Sequence, residues 1–109
     1  GWKVENGILV NAPKANNLIS EGKWWNYELR AEFRVGEHSN SGIGLRGRYE
    51  IQILEDFGKP PDTHSMAALY SRVAPSVNPS RRPGEWQTFD IRLVGRTVTV
   101  VANGKKVLD

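Results

Sequence analysis

Residues 27–35 alternate without a break. Tyr27, Leu29, Ala31, Phe33 and Val35 take every second position, and Glu28, Arg30, Glu32 and Arg34 lie between them. Successive side chains of an extended strand point to opposite faces, so this period of two makes one apolar face and one charged face. Such a strand must bury its apolar side against other strands, and the chain supplies them. Ile43 and Leu45, then Tyr49, Ile51 and Ile53, then Phe89, Ile91 and Leu93 repeat the inward set. Gly44 and Arg46, then Arg48, Glu50 and Gln52, then Thr88, Asp90 and Arg92 fall on the outward side. Two Asn-Gly pairs, Asn6-Gly7 and Asn103-Gly104, separate short alternating runs, and both positions of such a turn need positive φ. Gly95-Arg96 marks a further turn, and a short strand is expected around Leu18-Ile19. No amphipathic helix competes with this pattern. Many short one-sided strands joined by tight turns predict an all-β fold, an antiparallel two-sheet β-sandwich or jelly roll.

With 109 residues the chain has room for one domain, residues 1–109. It contains no cysteine, which removes disulfides, zinc thiolates and thiol nucleophiles from consideration. The net charge is only +3, and the arginines of the strands are interleaved with Glu28, Glu32, Glu50 and Asp90. A nucleic-acid surface gathers its basic groups into a patch; interleaving predicts a polar sheet face with internal ion pairs, so nucleic acid is not expected as a partner. No apolar run approaches the roughly 20 residues of a membrane span, and no membrane insertion is expected.

Asn17-Leu18-Ile19-Ser20 and residues 27–34 resemble the opening of the 3-keto-disaccharide hydrolase family. The resemblance continues through residues 40–47 (NSGIGLRG) and 48–54 (RYEIQIL). It resumes at Ala68-Leu69-Tyr70, at Pro83-Gly84-Glu85-Trp86-Gln87 and at Ala102-Asn103-Gly104-Lys105. It implies a concanavalin A-like fold, a carbohydrate substrate and, because family members are typically exported bacterial proteins, a periplasmic or extracellular location. Family members look longer, with a preceding strand and further strands after the Asn-Gly hairpin. The domain is therefore expected to be incomplete at both ends relative to the family and to lack its last closing strands. Unpaired sheet edges left in that way invite association.

The candidate chemistry centres on Glu50-x-Gln52-x-x-Glu55. Glu50 and Gln52 share the polar face of one strand, and a β-bulge near Ile53-Leu54 would turn Glu55 outward beside Gln52; without it, Asp56 takes the outward place. The pattern resembles the Glu-x-Asp-x-x-Glu signature of retaining β-glucan hydrolases, in which two carboxylates act as nucleophile and acid/base. Gln52 stands where those enzymes carry Asp, and an amide exchanges no proton. The family resemblance implies a sugar already oxidised at C3, whose carbonyl acidifies the C2 hydrogen so that its removal expels the C1 substituent. Glu50 is then the base, Arg46 or Arg48 stabilises the enolate, and Gln52 orients a hydroxyl. The bland alternative makes Arg46, Arg48 and Glu50 cross-strand ion pairs on a wet face, and a non-catalytic carbohydrate-binding module would use the same face.

Residues 56–83 are rich in Pro, Ser and Asp, and loops of such length usually carry function. His64 lies there as a candidate acid, and the sequence permits a divalent metal ion held by His64 with carboxylates, though two histidines make no His-only zinc site. Asn40, Tyr70 and Trp86 complete the expected substrate-binding set, the aromatic rings as sugar-stacking platforms or as plain packing. Of the adjacent Trp24 and Trp25, one is expected to face the core. Gly42-Ile43-Gly44-Leu45-Arg46-Gly47 matches the dinucleotide fingerprint, but a strand follows it where that mechanism needs a helix. The glycines are read instead as opening space above a cleft.

Overall fold

A computed structural model describes residues 1–13 and 15–109; Lys14, in the polar stretch from Asn11 to Asn17, lies outside the described residues. Among these the chain is all-β, with eight strands: β1 (Trp2–Glu5), β2 (Ile8–Asn11), β3 (Tyr27–Phe33), β4 (Asn40–Leu45), β5 (Tyr49–Leu54), β6 (Gln87–Val94), β7 (Thr97–Ala102) and β8 (Lys105–Leu108). All pairings are antiparallel. One sheet has the order β3-β6-β7-β8, a second is β4-β5, and β1-β2 stands as a hairpin of its own. The turn residues behave as their chemistry requires, with φ of 51° and 77° at Asn6-Gly7 and of 51° and 82° at Asn103-Gly104. No described helix is long and apolar enough to cross a membrane.

The core lies between the four-stranded sheet and β4-β5. Phe89, Ile91 and Leu93 of β6, with Val100 and Ala102 of β7 and Val107 and Leu108 of β8, are buried together with Leu45, Ile51 and Ile53. Phe33 meets Phe89 edge to face at 4.8 Å between ring centres. Each large apolar side chain taken fully out of water in this way contributes roughly 1.5–3 kcal/mol. The opposite face of β3-β6 carries the expected ion pairs. Arg30 meets Asp90 at 2.9 Å, directly across the strands, and Arg92 approaches Glu28 at 3.7 Å. Both pairs are exposed, so they add little stability and serve to neutralise the face.

Residues 56–83 form the long connection from β5 to β6 and are anchored along their length. Residues 66–70 run beside β5, Ser76 donates its N–H to Val107 O, the Asn103 amide donates to Pro79 O, and Gly84 N–H donates to Val35 O. Among the described residues β3, β4 and β8 each pair on one side only.

Two expectations fail near the amino terminus. No strand forms at Leu18-Ile19, whose side chains are 60% and 82% exposed. Two apolar residues between Asn17 and Ser20 meet no neighbouring strand to pair with, and an isolated strand of that length cannot repay its ordering. Neither Trp24 nor Trp25 enters the core, both being more than 60% exposed. Residues 20–26 lie outside any strand, so the alternation that would send one ring inward does not apply to them.

Candidate functional site

The β4-β5 register decides which groups share the outer face of the smaller sheet. Gly44 pairs with Glu50 and Gly42 with Gln52, so two glycines face an acid and an amide. Glu50 leans diagonally across β4, and its carboxylate lies over Gly42: a Cβ added there would stand 2.6 Å from Glu50 Cδ. The space over Gly44 is open, with nothing within 4 Å of a Cβ built there. The glycines thus seat the Glu50 carboxylate at Gly42 and leave open backbone beside it at Gly44, on the face that their alternation with Ile43 and Leu45 predicts. Among the described residues none of the ion pairs includes Glu50, Arg46 or Arg48. The cross-strand pairing that would make Glu50 a mere solubility residue is absent from this set.

The middle of the long connection completes the sheet. Tyr70 N–H donates to Glu50 O at 2.9 Å, Gln52 N–H to Ala68 O at 3.0 Å, and Ala67 N–H to Gln52 O at 2.9 Å. These bonds lay residues 67–70 against β5 like a further strand and cover Gln52, which is only 3% exposed although its parity points it outward. The Gln52 side chain then donates Nε2–H to His64 O at 2.9 Å. Ala67 and Ser71 adopt left-handed backbone, at φ 69° and 60°, a conformation costing an L-residue on the order of 1 kcal/mol. Strain of this kind persists where surrounding hydrogen bonds fix the chain, and here they fix the segment carrying His64 and Tyr70.

His64 is held on three sides. Its N–H donates to Asp62 Oδ1 at 2.7 Å, its Nε2 lies 2.9 Å from Ser71 Oγ, and its ring stands edge-on to Tyr70 at 4.9 Å. Both His64 and Tyr70 remain exposed. Tyr70 thus lies level with Glu50 along one edge of β5, while the Glu50 carboxylate leans over β4 on the other.

The remaining expected site residues lie elsewhere. No bulge interrupts β5, whose register with β4 runs evenly to Asn40–Leu54. The strand ends there, and Glu55 accepts the His38 N–H at 3.2 Å instead of standing beside Gln52. Asp56 does not turn outward either: it is buried, and its Oδ2 accepts the Met66 N–H at 3.0 Å. The orphaned N–H groups of the loops on both sides of β5 outcompete the cleft for these two carboxylates.

Arg46 sits in a left-handed turn position, φ 54°. It donates to Trp25 O at 2.8 Å and to Gly95 O at 2.6 Å, and its guanidinium stacks 3.8 Å over the Trp25 ring. It therefore joins the β4-β5 turn to the entry of β3 and to the β6-β7 turn, and its donors are taken. Arg48 is exposed in the same turn, Asn40 opens β4 on its exposed side, and Trp86 precedes β6, half-exposed under the Arg34 guanidinium at 4.9 Å. None of these three is joined to Glu50 by a hydrogen bond or ion pair among the described residues. Nor do three His, Cys, Asp or Glu side chains converge there as a metal-ligand set. Sequence reasoning passed over Gly42 as a partner of Glu50, although counting the hairpin register outward from Gly47 would have placed the two on one face.

The model of the 3-keto-alpha-glucoside-1,2-lyase-like domain matches residues 1–109. Three solved structures from Parabacteroides distasonis ATCC 8503, assigned as glycosyl hydrolases by name only, share the fold. One is 28% identical with a TM-score of 0.82 over 97% of this chain and 60% of its own. A second is 26% identical with a TM-score of 0.87 over 99% and 55%. The third, at 19% identity and a TM-score of 0.81 over 99% and 61%, supports the fold alone. The chain thus spans between 55% and 61% of the length of these structures. No curated protein matches it. Matched from its first residue to its last, the chain belongs to the 3-keto-alpha-glucoside-1,2-lyase-like domain family, a glycosyl hydrolase-like β-sandwich.

Proposed function

We propose that this domain cleaves the glycosidic bond of 3-keto glycosides and that Glu50 is the base. The observation carrying the reading is the placement of Glu50: exposed, free of ion pairs among the described residues, and lying over a glycine floor at the edge of the His64–Tyr70 segment. The open backbone at Gly44, beside the carboxylate seated over Gly42, lets a flat sugar ring approach closely. In the proposed reaction Glu50 takes the proton from C2, and the C2–H electrons form the C1–C2 double bond. The C1–O bond breaks, and its electrons leave with the aglycone oxygen, which takes up a proton. Water then adds across the enone, its oxygen to C1 and a proton to C2, giving the free 3-keto sugar. His64, with its ring positioned by Ser71 and Tyr70, is the candidate to protonate the leaving oxygen. Gln52 acts here by fixing the His64 backbone and not by touching a hydroxyl, since its amide is buried under it.

The test is product release from a 3-keto disaccharide and from its unoxidised parent, for the wild type and for Glu50→Gln. Cleavage of the keto sugar alone, lost by 10³-fold or so on removing the base, is the expected outcome. Cleavage of the parent at a comparable rate overturns the elimination route. Binding of both sugars without cleavage of either makes the domain a lectin-like module.

A further inference from the structure

The arginines along β3 and β6 fall into two groups. Arg30 and Arg92 are matched by Asp90 and Glu28 on the outer face. Beyond Thr88 the matching stops. Phe33 and Gln87 are the last partners in the register, so Arg34 and Trp86 stand opposite each other just past it, the guanidinium 4.9 Å from the ring centre. Arg81 donates Nη1–H to Trp86 O at 2.9 Å, and Arg82 lies over the Phe57 ring at 5.1 Å. Among the described residues none of these three arginines belongs to an ion pair, and neither does Glu85, the acid nearest to them in the chain.

The backbone beneath them is fixed. Arg82-Pro83-Gly84-Glu85 closes a turn, with Glu85 N–H donating to Arg82 O at 3.2 Å; Pro83 sets one central φ and Gly84 takes the other at 84°. Gly84 N–H donates to Val35 O at 2.9 Å and Arg81 N–H to Gln87 Oε1 at 3.1 Å. The Asn78 amide donates to Asp56 O and Lys59 O, which ties the turn carrying Phe57 to the same segment. The guanidinium groups are thus held in place before any partner arrives, while Trp86 and Phe57 remain 43% and 48% exposed beside them.

We infer that this patch is a docking surface for an anionic polysaccharide whose rings bear carboxylates. A guanidinium with no acid beside it presents a planar fork of N–H donors that fits a carboxylate through two bonds. An exposed aromatic ring next to it offers its face to the C–H side of a sugar. Rings and forks side by side match a polymer in which each unit carries both an apolar face and a charge. An acidic peptide would engage the forks and leave the rings unused, and the glycosyl hydrolase-like family favours a glycan over a nucleic acid of equal charge. Arg34 and Trp86 continue the outer face of the four-stranded sheet, and Glu50 stands on that of β4-β5, with the core between the two sheets. Binding at the patch is therefore independent of the chemistry at Glu50.

The test is calorimetric titration of the protein at low salt with a galacturonate hexamer, its methyl ester, a glutamate hexamer and a thymidylate hexamer. The galacturonate hexamer is expected to bind about tenfold or more tightly than the ester, which has the same rings without charge, and to weaken as salt is raised. Arg34→Gln, Arg82→Gln and Phe57→Leu should each weaken it by about threefold. Arg96→Gln removes the same charge from the turn at the far end of β6 and should change nothing. All four positions are exposed, and equal melting temperatures separate a lost contact from a lost fold. Absence of galacturonate binding overturns the docking surface. An equal loss in Arg96→Gln also overturns it, because the effect would then be one of net charge. Tighter binding of the glutamate or thymidylate hexamer, with the same loss in the variants, would assign the patch to an acidic peptide or to nucleic acid instead.

Discussion

The Glu50 side chain occupies the space that a side chain on Gly42 would need. A Cβ at position 42 would lie 2.6 Å from Glu50 Cδ and 2.7 Å from its Cγ. Gly42→Ala is therefore expected to push the carboxylate off the floor and to lower kcat/KM by at least tenfold. Gly44→Ala, one pleat along with open space above it, should cost far less. Steady-state kinetics of the two variants beside their melting temperatures checks this. Equal losses would show that Glu50 does not depend on its perch.

Arg46→Ala is expected to act on stability. It removes donors to Trp25 O and Gly95 O and a stacking contact with the Trp25 ring. For a partly exposed group the loss should be about 1–2 kcal/mol, or a fall in Tm of several degrees for a domain of this size. Turnover per folded molecule should be unchanged. A large fall in kcat with an unaltered melting curve would return Arg46 to the substrate.

Gln52→Glu replaces a buried donor by a carboxylate facing the His64 carbonyl. The bond is lost and two acceptors are left opposed in a covered position, at a cost of about 2–3 kcal/mol. Limited proteolysis should then cut residues 63–71 first. Cleavage confined to another loop would show that the latch lies elsewhere.

Tyr27 gives an alkaline limit. Burial raises its phenol above the ordinary value of 10.0, and the nearby Arg46 charge offsets part of this. The folded state therefore holds the proton more tightly than the unfolded state. The associated stability is complete below pH 10 and is lost as the pH rises through the raised folded value. Chemical denaturation at pH 9 and pH 11 should show the drop, and Tyr27→Phe should reduce it. An identical drop in the variant would assign it to other groups.

The alternation in residues 27–35, 43–53 and 87–93 carried the sheets, the inward core and the charged outer face, because period two leaves a side chain only two directions. The same rule put Gly44 and Glu50 on outward faces, but their juxtaposition comes from the β4-β5 register. Alternation could not place Gln52, whose outward parity is correct but whose exposure is set by residues 67–70, a segment with left-handed turns at Ala67 and Ser71 that no side-chain pattern announces. Glu55 and Asp56 were misread for a related reason. Their partners are backbone N–H groups of His38 and Met66, and any residue type can supply those. Leu18-Ile19 shows the reverse case, apolar residues that meet no partner strand.

Because residues 67–70 are fastened to β5 at their middle, the long connection is mechanically two loops. The stretch before the fastening, 57–63, borders the polar rim beyond β5, and the stretch after it, 72–83, seals the ends of β7 and β8 through Ser76 and Pro79. Insertions or exchanges in the first stretch should reshape the rim beyond β5 without disturbing the second. A lineage of such domains could vary that rim while keeping one unchanged closure over the core.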